Sequence, residues 1–201
     1  MKTPSSIVPE NERGKSLDLY AHTLAPSEPD AIVLFRMAVS RLLHPMTWGK
    51  VAGAHAFDVK IWGQEAGDLR AEIREGDYLK IDIPGPGSSA GDGYDWVKAD
   101  RLEEGVDPDA SESMGMRLRT CRNPEEQSND TAHFFKEGAA SIFILARSGN
   151  EVSAKYFGRN EETNDSGSLF DRLRNYVVSL GAKAGGSEKM WTDFINGLIT
   201  T

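Results

Sequence analysis

Two hydrophobic periods divide the chain. Ile32, Phe35, Val39, Leu42 and Leu43 recur at helical spacing behind Ser27-Glu28-Pro29-Asp30, which supplies a capping hydroxyl, an early proline and acidic residues at the positive end of a helix dipole. The spacing predicts a helix over 28–44, ended by Pro45, which disfavours helical geometry in the residue before it. From Val51 the period falls to two: Val51, His55, Phe57, Val59 and Ile61 lie on one side of an extended segment, with Asp58, Lys60 and Trp62 on the other. Leu69 to Ile73 alternates again as a returning strand. Leu79, Ile81 and Ile83 mark a third strand, and Tyr94 to Leu102 a fourth.

Met116 to Thr120 alternates as a further strand, and SIFILAR at 141–147 is apolar on both faces, as a central strand is. Ser148-Gly149-Asn150 turns it back into Val152 to Phe157, a hairpin. The helical period then returns in Leu169, Phe170, Leu173, Tyr176, Val177 and Leu180, stopped by Gly181, and again from Ser187 through Trp191, Phe194, Ile195 and Leu198. Polar residues 1–16, with prolines at Pro4 and Pro9, read as a flexible arm. Residues 17–201 read as one globular domain with a β core over 50–158 and helical ends over 28–44 and 168–199. Strands that follow one another without intervening helices pair antiparallel, so the expected fold is mainly β with flanking helices (α+β), an antiparallel β-barrel or sandwich. EGDYLKID at 75–82 and YDWVKAD at 94–100 together resemble the central strands of small SH3-like barrels. That resemblance spans about a quarter of the chain and implies a barrel without implying a function.

Composition narrows the partners. With 201 residues, 39% hydrophobic and 27% charged, the chain suits one well-packed domain. Its formal charge of −8 opposes a phosphate backbone, so nucleic acid is not an expected partner. The segment MKTPSSIVPENERGKS lacks the apolar run of a secretory signal and nothing later is long and apolar enough to span a bilayer, so a cytoplasmic location and no membrane partner are expected. The single cysteine, Cys121, has no intramolecular disulfide partner, and the four histidines lack zinc-ligand spacing.

The most unusual stretch is GDYLKIDIPGPGSSAGDGYDW at 76–96, where glycine and proline shape a loop between aromatic residues. Its backbone N–H groups would suit an anion, but no GK[ST] and no following helix accompany them, so the segment reads as a structural or recognition loop. Asp77, Asp82, Asp92, Asp95 and Asp100 would suit a hard cation, yet the spacing is not that of a calcium loop and aspartate beside glycine is ordinary turn chemistry; no metal is expected. Cys121 with His133 would need a third positioning group to act as a thiolate and base, and a lone cysteine is more simply a small buried hydrophobe. His55 reads as a core residue and His44 as a partner of its helix C-terminus. Arg117, Arg119 and Arg122 form a basic cluster whose neutralising partner is expected in the acidic loop at 103–113.

These readings point to a non-catalytic binding or assembly module with no cofactor, its recognition surface being the loop 84–94 with Tyr78, Asp92, Tyr94, Asp95 and Trp96. The partner would be a protein or a small molecule. The apolar segment with Trp191, Phe194, Ile195 and Leu198 is also expected to serve a homo-oligomer, since a small amphipathic helix at a chain end often needs a partner. The alternative is a small-ligand-binding protein or enzyme with an acidic site at the barrel mouth, built on Asp92, Asp95, Tyr94 and His133.

Overall fold

The computed structural model describes residues 7–12, 14–53, 58–62, 71–82, 94–124, 139–161 and 186–201. A strand opens the fold, β1 (Lys15–Leu24), followed by α1 (Glu28–Leu43), a 3-10 turn (Pro45–Thr47) and a single helical turn, α2 (Trp48–Val51). Strands β2 (Asp58–Trp62), β3 (Tyr78–Asp82), β4 (Asp95–Glu104), β5 (Glu112–Cys121), β6 (Ala140–Ser148) and β7 (Glu151–Glu161) come next, and α3 (Gly186–Leu198) closes the chain. All seven strands form one antiparallel sheet in the order β1-β7-β6-β5-β4-β3-β2. The fold is thus mainly β with N-terminal and C-terminal helices. Its strands make one open sheet whose edges, β1 and β2, do not pair with each other, so the helices do the covering that a second sheet or a closed barrel would otherwise do.

The start of α1 is built as its sequence implies. Ser27 is extended and its Oγ accepts the Asp30 N–H at 3.3 Å, with Glu28 and Asp30 in the first turn and proline in the position where a missing N–H costs nothing. At the other end His44 Nδ1 lies 2.7 Å from the Ser40 carbonyl. Val51 departs from the strand expected there: Pro45 starts the 3-10 turn and the chain stays helical through Val51, so β2 begins only at Asp58. His55 and Phe57 lie outside the described residues, as do residues 63–70, which include the first two of the returning strand expected over 69–73; of its remainder, residues 71 and 72 form a bend.

One face of the sheet carries Val59, Ile61, Leu79, Ile81, Val97, Met116, Phe143, Leu145, Ala154 and Tyr156, all buried against the helices. Phe143 is the hub of this core. Its ring lies 5.3 Å from Tyr156, 5.4 Å from Trp191 and Phe194, and 6.1 Å from Trp48, while Tyr156 and Trp191 stack at 4.9 Å. Aromatic pairs at such separations add about 0.5–1.5 kcal/mol each beyond the area they bury. Trp48 completes its polar needs by donating its indole N–H to the carbonyls of Arg41 (3.2 Å) and Leu42 (3.1 Å). Met190, Trp191, Phe194, Ile195 and Leu198 of α3 are all buried in this cluster, so the apolar residues that self-association through the last helix would need are consumed inside the chain. The other expected C-terminal helix, over 168–180, lies outside the described residues.

Among the described residues, the opposite, outer face is covered in its middle, where Ile7 and Val106 pack on Ala140, Ile142 and Ile144. Asn11 and Asn160 hold the N-terminal segment there: the Asn160 N–H donates to Asn11 Oδ1 and the Glu12 N–H to Asn160 Oδ1, both at 2.8 Å. The acidic segment 103–113, expected as a solvated loop, is shorter than that: only residues 105–111 connect β4 to β5. Val106 is buried, Asp107 accepts the Lys155 ammonium at 2.7 Å, and Glu103 and Glu112 already belong to strands.

Candidate functional site

Strands β2 and β3 mirror one another. DVKIW read forwards and YLKID read backwards carry the same class of side chain at every step, and the antiparallel register sets like on like: Asp58 faces Asp82, Val59 faces Ile81, Lys60 faces Lys80, Ile61 faces Leu79 and Trp62 faces Tyr78. The apolar members go to the core. The polar and aromatic members line the outer face, where β4 adds Trp96 opposite Lys80 and Lys98 opposite Tyr78. Like charges directly opposite one another oppose pairing, by roughly 0.2–1 kcal/mol for each pair. Among the described residues neither Asp58, Asp82 nor Lys60 takes part in a hydrogen bond or ion pair that would offset this.

Rings gather at the same edge. The Lys80 ammonium lies 3.7 Å from the centre of the Tyr94 ring, 5.5 Å from Trp96 and 6.0 Å from Trp62, and Trp62 meets Trp96 edge to face at 6.3 Å. The Lys98 ammonium stands 5.2 Å over Tyr78. Each such contact turns the negative face of a ring toward a cation. The indole N–H groups of Trp62 and Trp96 are buried without a hydrogen-bond partner, leaving the two rings to act through their faces and edges. Asp58, Lys60, Trp62, Lys80, Asp82 and Tyr94 together line a hollow of about 220 Å³.

Of the residues singled out from sequence, Tyr78, Tyr94 and Trp96 come together here. Trp96 is buried, though against Trp62 on the outer face and not in the main core. Asp95 belongs elsewhere: it faces Ile81 on the core side of β4 and is buried. A one-residue step along a strand reverses the face, so a stretch YDW cannot bring all three side chains to one surface. Asp92, His133 and the glycine-rich segment 83–93 lie outside the described residues. Of the other residues lining the hollow, Asp82 reads in sequence only as a candidate cation ligand, and Asp58, Lys60, Trp62 and Lys80 only as strand positions.

The other chemical candidates are committed to local structure. Asp77 is buried and its Oδ2 accepts the Arg74 N–H at 2.8 Å, which shapes the turn into β3. Two of the three arginines pair with Asp100 of β4 instead of the acidic connection, Arg117 through Nε at 2.9 Å and Arg119 through Nε at 2.6 Å. The Cys121 thiol is pushed up to about 12 by burial, which the nearby Lys98 only partly opposes, so it stays protonated and is a poor nucleophile near neutrality. A second, larger cavity of about 460 Å³ opens between α1 and the β4–β5 connection, with Phe35, Val39 and Met114 as apolar wall and Arg36, Glu104 and Glu112 as charged rim.

Fold and site together define an α+β protein with one open antiparallel sheet and an aromatic, lysine-bearing outer edge. No family model and no curated protein matches the sequence. Among solved structures, protein Ms6760 from Mycobacterium smegmatis aligns with 91% of this chain and 87% of its own at 13% identity and a TM-score of 0.42. Ginseng major latex-like protein 151 from Panax ginseng aligns over 93% of this chain and 100% of its own, at 11% identity and a TM-score of 0.42. Protein CV1439 from Chromobacterium violaceum covers 90% and 94%, at 12% identity and a TM-score of 0.40. Likeness at this level assigns no residue and no ligand to this chain. Among the described residues no helix is long and apolar enough to cross a membrane.

Proposed function

We propose that the chain is a non-catalytic binding module whose recognition surface is the outer edge formed by β2, β3 and β4 next to the segment 84–94. The observation that supports it is the ring-lined hollow in which the Lys80 ammonium lies 3.7 Å from the Tyr94 ring beside Trp62 and Trp96. Four aromatic side chains at a short sheet edge give large contact area at small entropic cost, which suits recognition better than core filling because the core is already closed by Phe143 and its neighbours. The partner is a protein or a small molecule, and the formal charge of −8 supports one without a phosphate backbone.

A second reading places a small ligand in the cavity of about 460 Å³ beside α1, a volume within the usual range for such sites. Thermal-shift measurement of a ligand panel separates the two. Ligands that stabilise the native protein but not the Trp62→Ala/Tyr94→Ala variant support the outer edge. Ligands lost instead on filling the cavity with Met114→Trp support the second reading and remove the first.

A further inference from the structure

We infer that the hollow on the outer edge takes a small zwitterion carrying a methylated ammonium group and a carboxylate; this rests on the binding reading above and names its ligand class. The hollow holds two rows of like charge, Asp58 with Asp82 and Lys60 with Lys80, two residues apart along both strands. Two strand residues span about 7 Å, so a carboxylate row and an ammonium row stand side by side at the separation of two charges joined by a short aliphatic chain. Trp62 and Tyr94 wall the space, and about 220 Å³ equals the room of about seven waters at roughly 30 Å³ each. A ligand with one charge meets a repelling row as well as an attracting one. One that carries both charges meets its complement at each end.

Lys80 displays the binding mode with its own side chain. Its ammonium rests against the Tyr94 ring, 6.0 Å from the Trp62 ring centre, and makes no ion pair among the described residues, so the strongest seat for a cation is filled by the protein itself. A trimethylammonium group is more weakly hydrated than an ammonium and gains more from ring faces, so it takes that seat in the hollow that Asp58 and Asp82 also line. The displaced Lys80 ammonium then turns, with Lys60, to the ligand's carboxylate. Binding exchanges one cation for another against the rings and neutralises both rows. No covalent step is involved.

The exchange is tested by tryptophan fluorescence titration of the full chain with three probes at constant ionic strength: γ-butyrobetaine, tetramethylammonium and butyrate. The native protein binds γ-butyrobetaine at least about tenfold more tightly than either single-charge probe. Lys80→Gln vacates the ring seat and removes half of the ammonium row, so it strengthens tetramethylammonium binding while shrinking the advantage of the zwitterion. Asp58→Asn/Asp82→Asn weakens both cationic probes and leaves butyrate no weaker. Equal affinity for the three probes, or a tetramethylammonium affinity indifferent to Lys80→Gln, overturns the inference. If panel ligands still depend on Trp62 and Tyr94 while these probes do not bind, the binding reading stands and the zwitterion falls; if no ligand depends on them, both fall.

Discussion

Asp107 illustrates how a residue that looks solvated in sequence becomes structural. It sits in an acidic run, yet the Lys155 ammonium donates to it at 2.7 Å and the Asp109 N–H at 3.1 Å, and these bonds hold its carboxyl below the ordinary 3.8 despite the opposing effect of burial. Its folded-state value being depressed, the bond contributes stability that is fully present above the unfolded value and is lost as pH falls below about 3.8 through the folded value. Urea unfolding between pH 6 and 3 should therefore show a component of acid sensitivity that Asp107→Asn lacks. The same scale explains why Lys80 escaped a reading of sequence. A lysine in a strand is ordinarily a solvated side chain, and only the register that sets it between Lys60 and Trp96 gives it ring neighbours. The signal was nonetheless in the letters: DVKIW, YLKID and YDWVK each place a lysine and an aromatic on one face, and the first two are mirror images.

At the scale of elements, most of the pattern was legible where local sequence decides. The cap and proline of α1, the alternation of β4, β5 and β7, the doubly apolar run of β6 and the apolar stripe of α3 each needed no distant partner to be read. β1 was hidden in what reads as arm and connector, because its inward members Leu17, Leu19 and Thr23 are only half-buried and its partner β7 lies more than 125 residues away. Val51 fits either period, and what decides for helix is packing: α2 meets α3 so closely that a Cβ on Gly197 would lie 2.0 Å from the Val51 carbonyl oxygen. Backbone cannot yield as a side-chain tip does. Gly197→Ala should thus destabilise by about 1–3 kcal/mol as α3 shifts outward, visible in denaturant midpoints. Gly115→Ala meets instead the ends of Ile7 and Val106 at 2.6 Å and 3.0 Å, and should cost less while loosening the N-terminal segment.

For the whole molecule, one aromatic cluster joins sheet to helices. Trp48, Phe143, Tyr156, Trp191 and Phe194 come from α2, β6, β7 and α3, so no stretch of sequence contains the core and none discloses it alone. Phe143→Ala removes the ring all four others touch. It should cost about 3–5 kcal/mol and lower the thermal midpoint by on the order of 10 °C, measured by calorimetry. Arg41 adds a second tie, donating from α1 to the carbonyls of Gly197 (3.1 Å), Leu198 (3.0 Å) and Thr200 at the end of α3, where backbone oxygens would otherwise lack partners. The proposed recognition edge stands apart from both ties. It shares the sheet with the core and none of the core's aromatic contacts.

Closing β2 onto β3 brings aspartate to aspartate and lysine to lysine over only five residue pairs, with Val59, Ile61, Leu79 and Ile81 as the drive to do so. A slip of two residues would keep those apolar residues inward and put Asp58 opposite Lys80, so electrostatics favours the wrong zipper and side-chain fit the right one. This seam should therefore be the last to close in folding and the first to open in the native state. Amide hydrogen exchange should be faster at Lys60 and Lys80 than along β5 and β6. Added salt, which shortens the reach of the repulsion to about 3 Å near 1 M, should slow it, and Asp58→Asn should slow it without salt.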